Sequence, residues 1–401
     1  MEKRGVASIM HRARNTMSSS RPIRVVVIQP ALPKYRVPVF RELARRPGID
    51  LTFLYSTIPN LPNVEPDGFR AMHVPLYIRH FCGEPIWCQP AQWQYASRRT
   101  TDVLVIEWDI HQVLLVPALL RAHIEGVPTV LWGHGYSKHE KHCRKTLRDL
   151  VANLGTCLLF YNRTTAQKFL DAGWPRQRIY VALNSLDQAP IQAAARHWRQ
   201  SPAALREFQR QHGLAGRAVV LFVSRLEADN RVDMLLQATR MLAEDRVDLV
   251  TVVVGKGPDE QRLRKMSEDL GISQRVVFTG AIYDEMALAP WFLSARVFCY
   301  PTNIGLSILH AMGYGLPVIT SDRMDAQNPE IEALRPGYNG LVYRHGDARA
   351  LADALLRIIR DDALAQRLSE GAYRTIAEDF NLPKMVDGIE AAVRYAWSRR
   401  G

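Results

Sequence analysis

The sequence predicts an α/β protein of two doubly wound domains, and three observations carry that reading. The chain has 401 residues, enough for two or three domains. Short β-branched or apolar runs alternate with helical patterns from residue 23 onward, the signature of βα units and parallel sheets. Those runs fall into two groups of about six, separated by a polar stretch that begins and ends with turn residues.

In the first group the runs are Ile23 to Gln29, Asp50 to Tyr55, Asp102 to Glu107, Pro128 to Trp132, Cys157 to Tyr161 and Ile179 to Ala182. In the second they are Ala218 to Val223, Leu249 to Val254, Val276 to Thr279, Val297 to Tyr300, Pro317 to Thr320 and Gly340 to Tyr343. The division is therefore a basic, Ser-rich disordered arm over 1–22, a first Rossmann-like domain over 23–186, a connection over 187–216, and a second Rossmann-like domain over 217–382. A last helix over 383–401 can pack on either domain. Facing domains of this kind bring the carboxyl ends of both sheets to one cleft, where ligands of open α/β sheets bind.

Composition excludes several classes. Hydrophobic content of 47% and charged content of 23% rule out a disordered or collagenous chain. Five scattered cysteines, at 82, 88, 143, 157 and 299, do not make a disulfide framework and suit a reducing compartment, with the cytoplasm as the expected location. No run approaches the 18 apolar residues of a membrane span. The amino-terminal arm lacks the apolar core of a secretory signal, although its composition also suits a mitochondrial targeting peptide.

The net charge of +12 is unevenly placed: residues 1–200 hold 27 Lys and Arg against 14 Asp and Glu, and the remainder holds 25 against 26. A basic first half suggests an anionic partner, and the run Lys138 to Arg148 concentrates that charge. Lys138, Lys141, Arg144 and Lys145, with Arg98, Arg99 and Arg148, are expected to meet anionic lipid headgroups or a lipid diphosphate at the inner face of the cell membrane. His134, His139, His142 and Cys143 lack zinc-site spacing and sit among cations, so no metal is expected. The aromatic residues of this half do not interleave with charge as in a nucleic-acid module, and no nucleic acid is expected.

The densest chemical signal is RVFCYPTNIGLSILHAMGYGLPVITSD, a strand, loop, helix and strand over 296–322. Its loop Pro301 to Gly305 enters a helix whose amides suit an anion, and Gly305 lets a diphosphate approach. Leu306 and His310 share a helical face, and His310 is expected to point toward that ligand, with a core histidine as the alternative. Arg225 ends the first strand of this half and is the expected diphosphate clamp, with Arg231 as a second cation. Gly255 lies in the turn GKG between strand and helix.

These pieces, SRLEADNRVDMLLQA, VVVGKGPDEQRL, RVVFTGAIYDEM, the block above and NPEIEALRPGYNGLVYRHGD, resemble in order the nucleotide-sugar domain of retaining glycosyltransferase family four, whose fold is GT-B. The first half resembles it more loosely and enters its first helix through QPALPKYRVPVFREL, with a Tyr-Arg-x-Pro step. The resemblance implies transfer of a sugar, with retention, from a nucleoside-diphosphate donor to a hydroxyl of a glycan or lipid-linked acceptor in surface polysaccharide or glycolipid assembly. It implies no metal or other cofactor, and a departing phosphate that takes the acceptor proton. It assigns contact with the donor sugar or acceptor to His134, at the end of VPTVLWGHG, and catalysis to His134 and Arg225.

It assigns donor binding to Arg225, Arg231, Gly255, Thr302, Asn303, Gly305, Leu306 and His310. Both positions of the family's Glu-x7-Glu motif are substituted, by Thr302 and His310, and Asn230 stands where a Lys is usual. An active subgroup with a differently read sugar and a protein that binds without turnover both fit that change. Glu107 or Asp109, following the third strand, is the expected proton acceptor if a side chain fills that role.

Overall fold

The computed structural model describes residues 21–59, 61–81, 84–135 and 142–400, so most of the arm over 1–22 and residues Lys138 and Lys141 lie outside it. The first half contains strands β1 (Ile23–Ile28), β2 (Ile49–Tyr55), β3 (Arg70–His73), β4 (Tyr77–Phe81), β5 (Glu84–Cys88), β6 (Val103–Glu107), β7 (Thr129–Gly133), β8 (Cys157–Phe160) and β9 (Ile179–Val181). Seven form a parallel sheet in the order β3-β2-β1-β6-β7-β8-β9, and β4 and β5 pair apart from it as an antiparallel hairpin. The second half contains β10 (Ala218–Val223), β11 (Leu249–Val254), β12 (Val276–Gly280), β13 (Val297–Cys299), β14 (Val318–Ser321) and β15 (Gly340–Tyr343), parallel in the order β12-β11-β10-β13-β14-β15.

Helices cover both faces of each sheet, which is why the central strands read as unbroken apolar runs. Strand β11, LVTVVV, is buried throughout, and its one polar side chain, Thr251, exchanges a 2.6 Å hydrogen bond with Thr239 of the helix above. Strands β3 to β5 escape the sequence reading because β3 is a largely exposed edge strand and the hairpin carries no apolar run.

Residues 187–216 are largely two helices, Gln188–Gln200 and Pro202–Gln211, and the first contributes Ile191, Ala194 and Ala195 to the second core. The final helix, Leu382–Ser398, returns to the first domain. Its buried stripe of Met385, Val386, Ile389, Ala392, Val393 and Ala396 follows helical spacing and joins the core of Phe40 and Trp132. A Cβ on Gly388 would lie 2.1 Å from the Val181 carbonyl, so glycine sets the close approach of that helix to β9.

Polar ties also join the halves. Glu332 accepts hydrogen bonds from the amides of Arg163 and Thr164 at the start of helix Arg163–Asp171, placing a carboxylate where the helix dipole favours one. Arg163 reaches Asp379 at 3.2 Å, and Asn184 donates to Glu330 at 2.7 Å. At the opposite end of the sheet, Arg21 and Arg24 converge on Asp102. Burial opposes its charge, but these hydrogen bonds outweigh that cost and hold its carboxyl well below the usual range.

Candidate active site

The carboxyl ends of the two sheets face a shared cavity of about 300 Å³. From the first half it is lined by Gln29 after β1, Arg36 at the entry to helix Val37–Ala44, Glu107 at the end of β6, His134 after β7 and Tyr161 after β8. From the second half come Gly305, Leu306, Asn328 and Glu330, with Asn184 between the halves. This is the crevice position at which open parallel sheets place their ligands.

His134 is exposed to the cavity, its ring centroid 4.7 Å from that of Tyr161. Of the two carboxyls considered beside it, Asp109 is occupied, accepting from the His111 amide at 2.9 Å and its Nδ1 at 2.7 Å. Glu107 lines the cavity, and its buried Oε2 has no hydrogen-bond partner. Burial, with the charge of Asp109 adding to it and that of Arg36 opposing it, pushes its carboxyl up to about 8. Arg36 is 6% exposed, its guanidinium 5.4 Å from the ring centroid of Tyr35 and 5.1 Å from those of Trp132 and Tyr161.

In the second half the ligand loops are tied together. Ser224 meets the Tyr300 hydroxyl at 3.1 Å, Asn230 donates to the Arg225 carbonyl at 2.7 Å, and Asn328 donates to the Asn303 carbonyl at 3.0 Å. Asn303 holds φ = 62°, a left-handed conformation that asparagine tolerates, and its amide reaches Asn230. Gly305 and Leu306 line the cavity, and among the described residues no hydrogen bond takes up their amides. A Cβ on Gly305 would approach nothing closer than 3.5 Å, so packing does not demand glycine there and the space beside it stays open.

Several expected donor contacts lie elsewhere. Thr302 is buried beneath the loop, where it accepts from Ser321 at 3.3 Å, and does not reach the cavity. The amide of Ile304, in the loop before that helix, is given to Gln327 at 2.9 Å. The helix that follows is only the seven residues Ser307–Gly313. His310 does not point into the cavity. Its Nε2 lies 2.9 Å from Glu285 Oε1, which also accepts from Tyr314 at 2.6 Å, and its ring stacks on Phe292 at 4.7 Å. Burial opposes ionisation of Glu285, but His310 and Tyr314 outweigh it and hold the carboxyl below its ordinary value, so the imidazole donates.

Arg225 is exposed and paired with Glu227 at 2.9 Å, and Arg231 is held by Asp233 at 3.0 Å. Gly255 packs under the Ser224 carbonyl rather than beside the cavity. On the basic side, Arg148 is 6% exposed and therefore buried, not available to a surface; the side chains of Arg144 and Lys145 lie outside the described residues. Among the described residues no three His, Cys, Asp or Glu side chains converge as metal ligands would.

Arg36, Glu285, Glu330 and Asn184 were not singled out from the sequence. Glu330 stood in the quoted NPEIEALRP segment, Glu285 in RVVFTGAIYDEM and Arg36 in the Tyr-Arg-x-Pro step, whereas nothing local distinguishes Asn184.

Residues 206–375 match the family model for glycosyl transferases group 1. Among curated relatives, the chain is 33% identical over 45% of its length to a phosphatidyl-myo-inositol mannosyltransferase of Mycobacterium leprae, covering 43% of that protein. It is 26% identical over 62% of its length to a GDP-mannose-dependent alpha-(1-6)-phosphatidylinositol monomannoside mannosyltransferase of Mycolicibacterium smegmatis, covering 64% of it. The chain thus spans less than two thirds of either relative. Among solved structures, the Anabaena HepE protein in complex with UDP superposes with a TM-score of 0.69 at 16% identity, covering 93% of this chain and 99% of that one. A glycosyltransferase from Rickettsia africae gives a TM-score of 0.68 at 14% identity over 94% and 99%. Residues 206–375 therefore carry the pattern of the group 1 glycosyltransferases, and the described residues have the GT-B fold, two Rossmann-like domains about one cleft.

Proposed function

We propose that the protein is a glycosyltransferase that moves a sugar from a nucleoside-diphosphate donor to a hydroxyl of a glycan or lipid-linked acceptor, with retention at the anomeric carbon, in glycolipid or surface polysaccharide assembly. The observation that carries this reading is the cavity between the sheets: one wall belongs to the matched segment 206–375, and the other brings His134, Glu107 and Arg36 from the first half. The names of relatives and solved neighbours, which include a GDP-mannose-dependent enzyme and a complex with UDP-glucose, support a nucleotide-linked donor.

In this reading the Gly305 and Leu306 amides and the nearby guanidinium groups meet the charge that develops on the departing diphosphate. The mechanism asks for no metal ion. The departing phosphate receives the acceptor proton. Glu107, neutral at pH 7, shares a hydrogen bond with a sugar hydroxyl, and His134 contacts the same sugar. Two carboxylates placed about the bond, as in glycoside hydrolysis, are not needed.

The test is to incubate the purified full chain with UDP- and GDP-linked hexoses and lipid-linked or glycan acceptors. Acceptor-dependent release of UDP or GDP, unchanged by EDTA, with product of the donor's anomeric configuration by NMR, is expected. Binding without turnover across the panel would overturn the reading in favour of a protein that only holds nucleotide sugar.

A peripheral membrane role belongs to the same proposal. No helix among the described residues is long and apolar enough to cross a membrane. Leu120 and Ile124, 48% and 83% exposed, form a stripe on helix Leu115–Ile124, and exposed Leu150 and Leu154 form another on helix His142–Leu154, whose sequence opens with HCRK. Apolar stripes on a half whose sequence carries excess Lys and Arg suit an anionic bilayer. Co-sedimentation with phosphatidylglycerol vesicles, reduced by Ile124→Glu with Leu150→Glu and absent with phosphatidylcholine alone, is expected; equal binding by the double variant sinks the idea.

A further inference from the structure

Burying an unpaired guanidinium carries a large desolvation cost, so such a group is normally matched by a carboxylate. In the second half even the more exposed cations find such a partner: Arg225 faces Glu227 and Arg231 faces Asp233. Arg36 does not. It is 6% exposed, lines the cavity, and among the described residues has no carboxylate within ion-pair distance and no acceptor for its guanidinium. Three aromatic faces surround it instead, and cation–π contacts offset only part of the burial cost.

The carboxyl that shares its cavity, Glu107, is not bonded to it and leaves Oε2 without a partner. The local sequence builds this arrangement. The 3-10 turn Lys34–Arg36 follows Pro33 and runs directly into helix Val37–Ala44, with Pro38 near its start, so the backbone around Arg36 is held rigidly. The same turn faces the second half, since Lys34 lies near enough to Glu285 to favour its ionised form.

We propose that Arg36 is the oxyanion receptor of the cleft: its guanidinium, preset by Tyr35, Trp132 and Tyr161, binds a phosphate group of a ligand seated between the halves. The site stands on geometry alone. Its assignment to the donor's diphosphate rests on the glycosyltransferase reading, and a phosphate carried by a lipid-linked acceptor presents the same chemistry.

Titration calorimetry on the full chain with UDP, GDP, inorganic pyrophosphate and glycerol 3-phosphate tests it, with Trp132 beneath the guanidinium offering a fluorescence readout. Arg36→Gln is expected to weaken binding about tenfold or more, and Arg36→Lys, which keeps the charge and fold but not the planar fork, by about threefold. A loss confined to UDP, GDP and pyrophosphate assigns the donor; one confined to glycerol 3-phosphate assigns the acceptor. Unchanged affinities in Arg36→Lys and in any folded Arg36→Gln, or no binding of the four probes by the wild type, overturn the site. Arg36-dependent binding without sugar transfer keeps the site and sinks the proposed function; transfer by a wild type whose anion binding ignores Arg36 does the reverse.

Discussion

Gly255→Ala is expected to destabilise the second domain by about 3 kcal/mol or more, lowering its melting temperature by about 6–12 °C. Gly255 holds φ = 151°, and a Cβ there would lie 1.9 Å from the Ser224 carbonyl oxygen. The obstacle is backbone, so no rotamer change relieves it. Ser224 and Gly255 are themselves fixed in neighbouring ladders, Ser224 donating to Val254 at 3.1 Å and Gly255 to Gly280 at 2.9 Å. The segment Ser224–Leu226 would have to lift, and with it the contact of Ser224 to the Tyr300 hydroxyl. Gly213→Ala supplies the comparison: it also holds positive φ, at 66°, but has open space beside it, and should cost about 1 kcal/mol. Thermal or urea unfolding showing equal losses would remove the steric argument.

Glu107→Gln is expected to stabilise the protein increasingly as pH rises. Burial first, then the charge of Asp109, lift the Glu107 carboxyl from 4.5 to about 8, with Arg36 opposing. Between those values the unfolded chain has released a proton that the folded chain retains. Wild-type stability therefore falls with pH through this window, by about 1.4 kcal/mol per unit from this group, and the penalty levels off above 8. Glutamine removes the ionisable group, so the gap between variant and wild type should widen from pH 5 to 8 and then hold. A gap independent of pH would refute the buried neutral acid.

Activity tests the role as well as the charge. If Glu107 serves as a neutral hydrogen-bonding group, Glu107→Gln keeps transfer at pH 7 within about fivefold of wild type and loses the decline expected of wild type above pH 8. A loss of about 10²-fold or more would instead mark it as a general base.

The two sheets were legible because helices on both faces force their central strands to be apolar along their whole length, and a run such as LVTVVV has few other uses. Strand β3, with the sequence RAMH on an exposed edge, gave no such signal. At the site, residue type and position at strand ends brought out His134, Glu107, Gly305 and Leu306, all of which line the cavity. The same reasoning pointed to Arg225, Arg231, Thr302 and His310. The two arginines are held by carboxylates two residues on, Glu227 and Asp233, whereas Thr302 and His310 are held by Ser321 and Glu285, whose proximity no local pattern reports.

By itself, the sequence determined the fold class, the ordered glycosyltransferase-like block and the end of each sheet at which ligands gather, because these follow from periodicity and chain order. Only the tertiary structure decided which cations remain uncompensated, which carboxyl stays neutral and which domain receives the last helix. Those outcomes depend on burial and on charges brought within a few ångströms by distant segments. Arg36 is the clearest case: one arginine among many along the chain, it becomes a receptor only when Tyr161, 125 positions later, and Trp132 close around it.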